Sequence, residues 1–395
     1  MANLRARFSF PTLIHFGPGV RADVREYCEQ NGMKSPLVVT DRGVAELPMF
    51  QAFVKGLRTG GILAETFSGV FGNPVKSQVT AGVAAYRKYG ADSIIGVGGG
   101  AALDVAKAIL LMIHHPGDLF DYEDEKPGAR PIDRELPPWI ALPTTSGTGS
   151  EVGRSAVVSD DETHIKKIIF SPRLLARAVF ADPEFTLGMP PKITAAVGMD
   201  ALTHCVEAYL AKGFHPIADG IALEGLRLAS RSLVTCVKNG SDVEARGLMM
   251  MSSMMGAIAF QKGLGVTHSC AHALGTVADM HHGLANGIMI DFALKMNLKQ
   301  SDERFRVMAQ TVGLKDAGAR DFLSWLTALK RQVGIPANLT AAGVKKADLK
   351  SLVDIAVDDA CHPNNPVACT RADFERIFTE AFDGAFDGAS GEALA

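Results

Sequence analysis

Two short segments carry ionisable side chains at intervals that suit a metal ion. Asp200 and His204, in Gly198-Met199-Asp200-Ala201-Leu202-Thr203-His204-Cys205-Val206-Glu207, stand four residues apart, so on a helix both project from one face. His268 and His272 repeat that interval, and His282 follows ten residues later in Met280-His281-His282-Gly283. Imidazole and carboxylate together suit Fe²⁺, Zn²⁺ or Mn²⁺. A lone histidine on an apolar face is usually a core residue, and a single pair at this interval arises by chance. Five such side chains in two mainly apolar segments favour the metal reading, because burying them unpaired is costly. His281 cannot share the facing direction of His282 on a regular helix and is not read as a ligand. His15, His114, His115, His164 and His215 show no partner pattern.

A second chemistry is signalled by glycine. Gly98-Gly99-Gly100 follows a predicted strand, Asp92–Val97, and opens a predicted helix, Ala101–Met112. Glycines let a backbone approach phosphate closely, and a helix N-terminus offers unpaired N–H groups with partial positive charge. Alone the run is weak, since strand-to-helix turns often hold glycine for conformational reasons. Support comes from Pro143–Glu151, where Thr144, Thr145, Ser146, Thr148 and Ser150 surround Gly147 and Gly149 after the predicted strand Trp139–Pro143. Such a loop wraps phosphate and ribose readily, although similar clusters also form solvated linkers. Asp41, ending the predicted strand Pro36–Asp41, is placed either to accept from a ribose hydroxyl or to cap the next helix.

The elements that must position these residues read as two domains. Over residues 1–182, β-branched runs alternate with helical stretches such as Gln78–Tyr89, the pattern of an α/β domain with a parallel sheet, and Ala178–Ala181 supplies a further strand. After Asp182-Pro183 Ala, Leu and Met dominate, and helical periodicity continues to Phe382, which gives an all-helical domain over 183–395. The glycine-rich tail Gly384–Ala395 reads as frayed. At 395 residues, 47% hydrophobic and 21% charged, the chain suits two globular cores. A net charge of -3 with scattered Lys and Arg points away from nucleic acid and anionic lipid as partners. Six cysteines without a C-x-x-C pair exclude a zinc ribbon and fit a reducing compartment. Met1–Arg7 lacks the apolar stretch of a signal peptide and no apolar run is long enough for a bilayer, so a cytoplasmic protein is expected.

From Phe10-Pro11-Thr12 through Asn365-Pro366 the sequence resembles the iron-containing (group III) alcohol dehydrogenase family. Four blocks carry the likeness: Gly98–Lys107, Pro143–Glu151, Gly198–Glu207 and His268–Asn286. The resemblance implies a dinucleotide-binding domain, a helical domain and an active site in the cleft between them. Carried over position by position, it implies Asp200, His204, His268 and His282 as ligands of Fe²⁺, with Zn²⁺ the alternative, and places His272 near the nicotinamide and substrate. Asp41, Asn73, Gly98, Gly99, Gly100, Asp104, Thr144, Thr145, Thr148 and Lys166 fall at cofactor positions. An acid at the Asp41 position is common among members using NAD, whereas NADP users tend to have a small residue there. The implied reaction is hydride transfer between a primary alcohol, or its aldehyde, and NAD, with the metal polarising the oxygen and His272 relaying the proton. A homodimer or higher homo-oligomer is implied as well.

Departures from the family pattern include Ala101 for a usual serine, Gly153-Arg154 for a Thr-led pair, Ile290-Asp291 for Leu-Pro, and Val367 for an arginine. Arg154, with Lys262 shortly before His268, raises the expectation of an anionic substrate such as 4-hydroxybutyrate, or succinate semialdehyde in reverse. The plainer readings are that Arg154 pairs with Asp160 or Asp161 and that Lys262 is a solvated surface residue. Rival functions are a glycerol-dehydrogenase-like enzyme, a dehydroquinate-synthase-like enzyme, whose site resembles a Glu/His/His set, and a non-catalytic nucleotide or metal sensor.

Overall fold

Strands that helices cover on both faces read as nearly continuous apolar runs, and three segments in the first unit meet that condition. In the computed structural model, which describes residues 12–384 apart from 125, this unit contains β1 (Leu13–Phe16), β2 (Pro36–Asp41), β3 (Glu65–Val70), β4 (Ser93–Gly98), β5 (Trp139–Pro143), β6 (Ser155–Ser159), β7 (Lys166–Phe170) and β8 (Ala178–Ala181). The N-terminal segment and all but the first residue of the glycine-rich tail lie outside the described residues. β4, β5 and β8 are buried at every position. They sit inside a six-stranded sheet of order β1-β8-β5-β4-β2-β3 in which every neighbouring pair is parallel. β3, an edge strand of mixed burial, shows no apolar run, and its sequence does not announce it.

The chain order reverses between β2 and β4, so the carboxyl ends of these strands lie side by side at the point where α/β sheets bind ligands. There a Cβ added at Gly98 would stand 3.4 Å from Asp41 Oδ2. The helices on either side of β4 run Lys76–Tyr89 and Gly100–His114, each slightly longer than the sequence pattern marks. β6 and β7 form an antiparallel hairpin apart from the sheet, with Ala156, Val158 and Ile169 buried and Ile168 and Phe170 exposed.

The first unit extends to Gly188 and the second begins at Met189, a few residues beyond the change of character at Pro183. Asp182 explains the difference. It caps the single turn Pro183–Thr186 through Glu184 N at 3.1 Å and pairs with Arg21 Nη1 at 2.6 Å, which holds that turn to the first unit.

Every regular element among the second unit's described residues is a helix, from Pro191–Leu210 to Arg371–Asp383. Starts are marked by Pro191 and Pro216 in first turns and by Asp242, which accepts from Ala245 N at 2.9 Å. Its core gathers Ala, Leu, Met and Phe from most of its helices. No described helix of the chain is long and apolar enough to cross a membrane.

Asp291, one of the departures noted above, has a buried partner. Lys330 Nζ donates to Asp291 Oδ1 at 2.5 Å and to Ile288 O at 2.8 Å, and Thr327 Oγ1 reaches Asp291 Oδ2 at 3.3 Å. Burial lowers the Lys330 pKa, and the adjacent carboxylate acts against that shift. Lys330→Met alone leaves a buried carboxylate without its cation and is expected to destabilise the protein by about 3–5 kcal/mol. Adding Asp291→Leu should recover most of that loss in urea unfolding, and equal destabilisation of the single and double variants contradicts the expectation.

Candidate active site

The helix Pro191–Leu210 presents Asp200 and His204, Val266–Ala278 presents His268, and His282 opens the helix His282–Leu294. Two glycines allow close packing against the first of these helices, Gly256 from a fourth helix, Val243–Ala259, and Gly283 from His282–Leu294. A Cβ at Gly256 would come 2.9 Å from His204 Cβ, and one at Gly283 would come 2.4 Å from the carbonyl oxygen of Ala196, one turn before Asp200. The four candidate ligand atoms consequently lie within 4.8 Å of one another. Asp200 Oδ1 is 3.9 Å from His204 Nε2 and 3.5 Å from His282 Nε2. Asp200, His204 and His268 are buried, and His282 is partly exposed.

Outer groups fix these donors. Glu207 Oε2 accepts from His268 Nδ1 at 2.7 Å and from Gly265 N at 2.9 Å, while its Oε1 accepts from Thr267 N at 2.7 Å. Burial alone would raise the Glu207 carboxyl, but the bonds from His268 and Thr267 outweigh it and hold the group below its ordinary value. With Nδ1 occupied, Nε2 is the nitrogen that His268 offers to the cluster. Asn286 Nδ2 donates to Asp200 Oδ1 at 2.8 Å and lies 3.3 Å and 3.2 Å from the Nε2 atoms of His268 and His282. One carboxylate oxygen and three imidazole nitrogens, oriented in this way, fit a divalent ion of borderline hardness.

His272 belongs to the same neighbourhood but lies outside the four-residue cluster. Its ring stacks on His282 with centroids 5.3 Å apart, while its Nδ1 meets Asp359 Oδ2 at 2.7 Å. Asp359 escapes sequence reasoning because it lies 87 residues from His272 and no spacing rule connects them. Glu207 had a visible signal: it is seven residues after Asp200, so both point to one face of the same helix.

In the first unit the two loops expected to hold a nucleotide come together. Thr144 N donates to Gly98 O at 3.0 Å, and a Cβ at Gly99 would meet Thr145 Cγ2 at 3.1 Å. A Cβ at Gly100 would stand 2.7 Å from Thr148 Cγ2, so glycine is required for the two loops to pack. Asp41 fills the capping role weighed for it: Oδ1 caps the turn Arg42–Ala45 through Val44 N at 2.8 Å, while Oδ2 faces Gly98. Asn73 lies at the hairpin, since the adjacent Pro74 O accepts from Ser159 N at 2.8 Å and Ser159 is paired with Lys166.

Asp104 is occupied within the domain. Its Oδ1 accepts from Ser150 Oγ at 2.6 Å and from the buried Lys107 Nζ at 3.2 Å, and its Oδ2 accepts from Val157 N at 3.1 Å. This network ties the glycine-loop helix to the Thr/Ser loop and the hairpin, so Asp104 supports the loops from behind. Glu151, closing the Thr/Ser loop, is wholly buried, and burial pushes its carboxyl up to about 7.

A parallel sheet with glycine and threonine loops at its switch point, together with a buried Asp/His₃ cluster in a helical unit, defines a nucleotide-dependent metalloenzyme. The chain matches the iron-containing alcohol dehydrogenase family over residues 11–183 and the C-terminal domain of that family over residues 194–382. It is 36% identical over 380 residues to a 4-hydroxybutyrate dehydrogenase of Cupriavidus necator, covering 94% of this chain and 98% of that protein. A crystal structure of 1,3-propanediol oxidoreductase superposes with a TM-score of 0.91 at 35% identity, covering 95% of this chain and 100% of that one. A sulfoacetaldehyde reductase from Bifidobacterium kashiwanohense, solved with NAD⁺, superposes with a TM-score of 0.88 at 26% identity, covering 97% and 100%. The chain belongs to the iron-containing alcohol dehydrogenase family and is an NAD-dependent oxidoreductase of alcohols and aldehydes with a divalent metal site.

His268→Ala is expected to lose metal and activity together. Glu207→Gln keeps the ligand nitrogen but removes the charge behind it, and should weaken metal binding ~10–100-fold in competition with a chelator of known affinity. Unchanged affinity in Glu207→Gln would show that the clamp serves folding alone. A carboxylate facing Gly98 favours a ribose hydroxyl and repels an added phosphate, so Asp41→Gly should narrow or reverse a preference for NAD over NADP. The ratio of kcat/KM values for the two cofactors measures this, and a ratio left unchanged by the substitution would reduce Asp41 to a cap.

Proposed function

We propose that the enzyme interconverts a short primary alcohol bearing an anionic group with its aldehyde, and that 4-hydroxybutyrate and succinate semialdehyde are the leading pair. The observation that carries this reading is the state of Arg154. Its guanidinium lies over the Phe170 ring, 5.2 Å from the centroid, and no ion pair engages it among the described residues. Asp160, one partner considered for it, accepts from Glu162 N and Thr163 N at 3.1 and 2.9 Å, and Asp161 accepts from Ser77 N at 3.0 Å. Stacked on an aromatic face and lacking a carboxylate partner, Arg154 keeps its planar fork available for bidentate contact with an anion. Lys262 does not share this role. It is buried against Asp219 Oδ1 and the carbonyl oxygen of Tyr209, with Arg304 also on Asp219, so neither the anion-binding nor the solvated-surface reading describes it. The 4-hydroxybutyrate dehydrogenase and sulfoacetaldehyde reductase relatives carry names of anionic substrates, whereas the propanediol enzyme is named for a neutral one.

In this mechanism Asp200, His204, His268 and His282 would hold the divalent ion, and the Gly98–Gly100 and Thr144–Thr148 segments would hold NAD, with Asn73 and Lys166 at the hairpin side and Asp41 beside Gly98. When bound, the ion supplies Lewis acidity toward the alcohol or carbonyl oxygen, and NAD supplies the hydride acceptor. Glu207 and Asn286 keep the donor atoms in place. His272 takes up the alcohol proton in oxidation and returns it in reduction. We place the enzyme in the cytoplasm, a reading that the free thiols of all six cysteines support. A homodimer is proposed with it, supported by the edge strand β1, where Leu13 and Phe16 are exposed.

The substrate reading is tested by comparing kcat/KM for 4-hydroxybutyrate and butan-1-ol in the parent and in Arg154→Ala. The parent is expected to prefer 4-hydroxybutyrate, and the substitution should lower that value by ~10-fold or more, about the strength of one charge-assisted hydrogen bond, with little change for butan-1-ol. Preference for butan-1-ol in the parent, or equal loss on both substrates, would favour the neutral-alcohol reading.

A further inference from the structure

We infer that Asp359 is the positioning residue that fixes which nitrogen of His272 is free to exchange the substrate proton, a role that rests on His272 being the relay proposed above. The bond from His272 Nδ1 to Asp359 Oδ2, at 2.7 Å, requires a hydrogen on Nδ1, because an ionised carboxylate only accepts. In the neutral ring the lone pair is then on Nε2, the nitrogen turned away from Asp359. Reversing the tautomer would place a hydrogen on Nε2 and leave two acceptors facing each other at Nδ1. Asp359 therefore sets His272 as a proton acceptor at a defined atom.

The carboxylate is itself anchored from the other side. Asp359 Oδ1 accepts from Ser269 Oγ at 2.7 Å and from Cys361 N at 2.9 Å, and Ser269 Oγ in turn accepts from His362 N at 3.0 Å. Ser269 lies three residues before His272 on the same helix, so the helix carrying the imidazole also grips the group that orients it. Burial would raise the Asp359 carboxyl, but the bonds from His272, Cys361 and Ser269 hold it well below the usual carboxylate range. The arrangement parallels Glu207 on His268 one turn earlier, with a different outcome: His268 Nε2 belongs to the ligand cluster, whereas the His272 ring lies stacked beside His282.

Asn is nearly isosteric with Asp and can keep the Ser269 and Cys361 bonds through its oxygen while presenting an N–H to Nδ1, which selects the opposite tautomer. The test uses metal-loaded holoenzyme with NAD and butan-1-ol, comparing the parent, Asp359→Asn, His272→Ala and the double variant. Asp359→Asn should retain bound metal and the KM for NAD, lower kcat ~10–100-fold, within the range of a disabled acid–base group, and change kcat less than about twofold in the His272→Ala background. Ser269→Ala, which removes one anchor and leaves the pair intact, should show a smaller fall that also vanishes without His272. A fall of the same size in both backgrounds, or loss of metal from Asp359→Asn, would mean that Asp359 acts through the fold and would overturn the inference. Parental kcat in His272→Ala refutes the relay reading and this inference with it. A slow His272→Ala beside a parental Asp359→Asn leaves the relay standing and refutes Asp359 alone.

Discussion

A buried carboxylate, Glu207, organises the helical unit. It receives two backbone N–H groups at the start of Val266–Ala278 and the Nδ1 hydrogen of His268, each within 2.9 Å. Burying such a charge is costly unless it is fully hydrogen-bonded, so the position of that helix start relative to Pro191–Leu210 is strongly constrained. The helix N-terminus gains an anion where its dipole favours one, and the same contact turns His268 toward Asp200. Placement of the candidate ligands and packing of the helices are thus one constraint, with Gly256 and Gly283 removing the side chains that would hold the helices apart.

The sheet imposes the corresponding constraint on the first unit. Reversal of strand order between β2 and β4 leaves Asp41 and Gly98 adjacent, and the Thr/Ser loop after β5 packs directly on Gly99 and Gly100. Asp104, Lys107 and Ser150 hold that packing from behind. Lys107 is entirely buried yet fully engaged, donating to Asp104, Ser150 and the carbonyl oxygen of Ser155.

Much of this was legible in the residues. The apolar runs Pro36–Asp41, Trp139–Pro143 and Ala178–Ala181 form strands with those bounds, because strands covered on both faces leave no ambiguity of period. The interval of four in Asp200/His204 marks two of the four candidate ligands, since helical geometry makes local spacing meaningful. The hairpin β6–β7 and the edge strand β3 were not legible, being half-exposed, with apolar runs of no more than three residues. The Asp359–His272 and Lys330–Asp291 pairs were hidden for another reason: they join distant positions, which no local rule connects. Lys262 shows the same limit, as its charge looked free until Asp219 and Arg304 were seen around it.

The dual duty of Glu207 bears on any attempt to transplant this centre into another helical scaffold. Grafting Asp200, His204, His268 and His282 alone would copy the candidate ligand atoms and omit what aims them. A recipient would also need an acid one turn beyond the second ligand, a helix beginning opposite that acid, and an amide in the place of Asn286. The minimal portable unit is therefore a crossing of four helices, the three that bear the candidate ligands and Val243–Ala259, with glycines at the points of closest approach, and a recipient with bulkier contact residues would have to be rebuilt before it could accept the cluster.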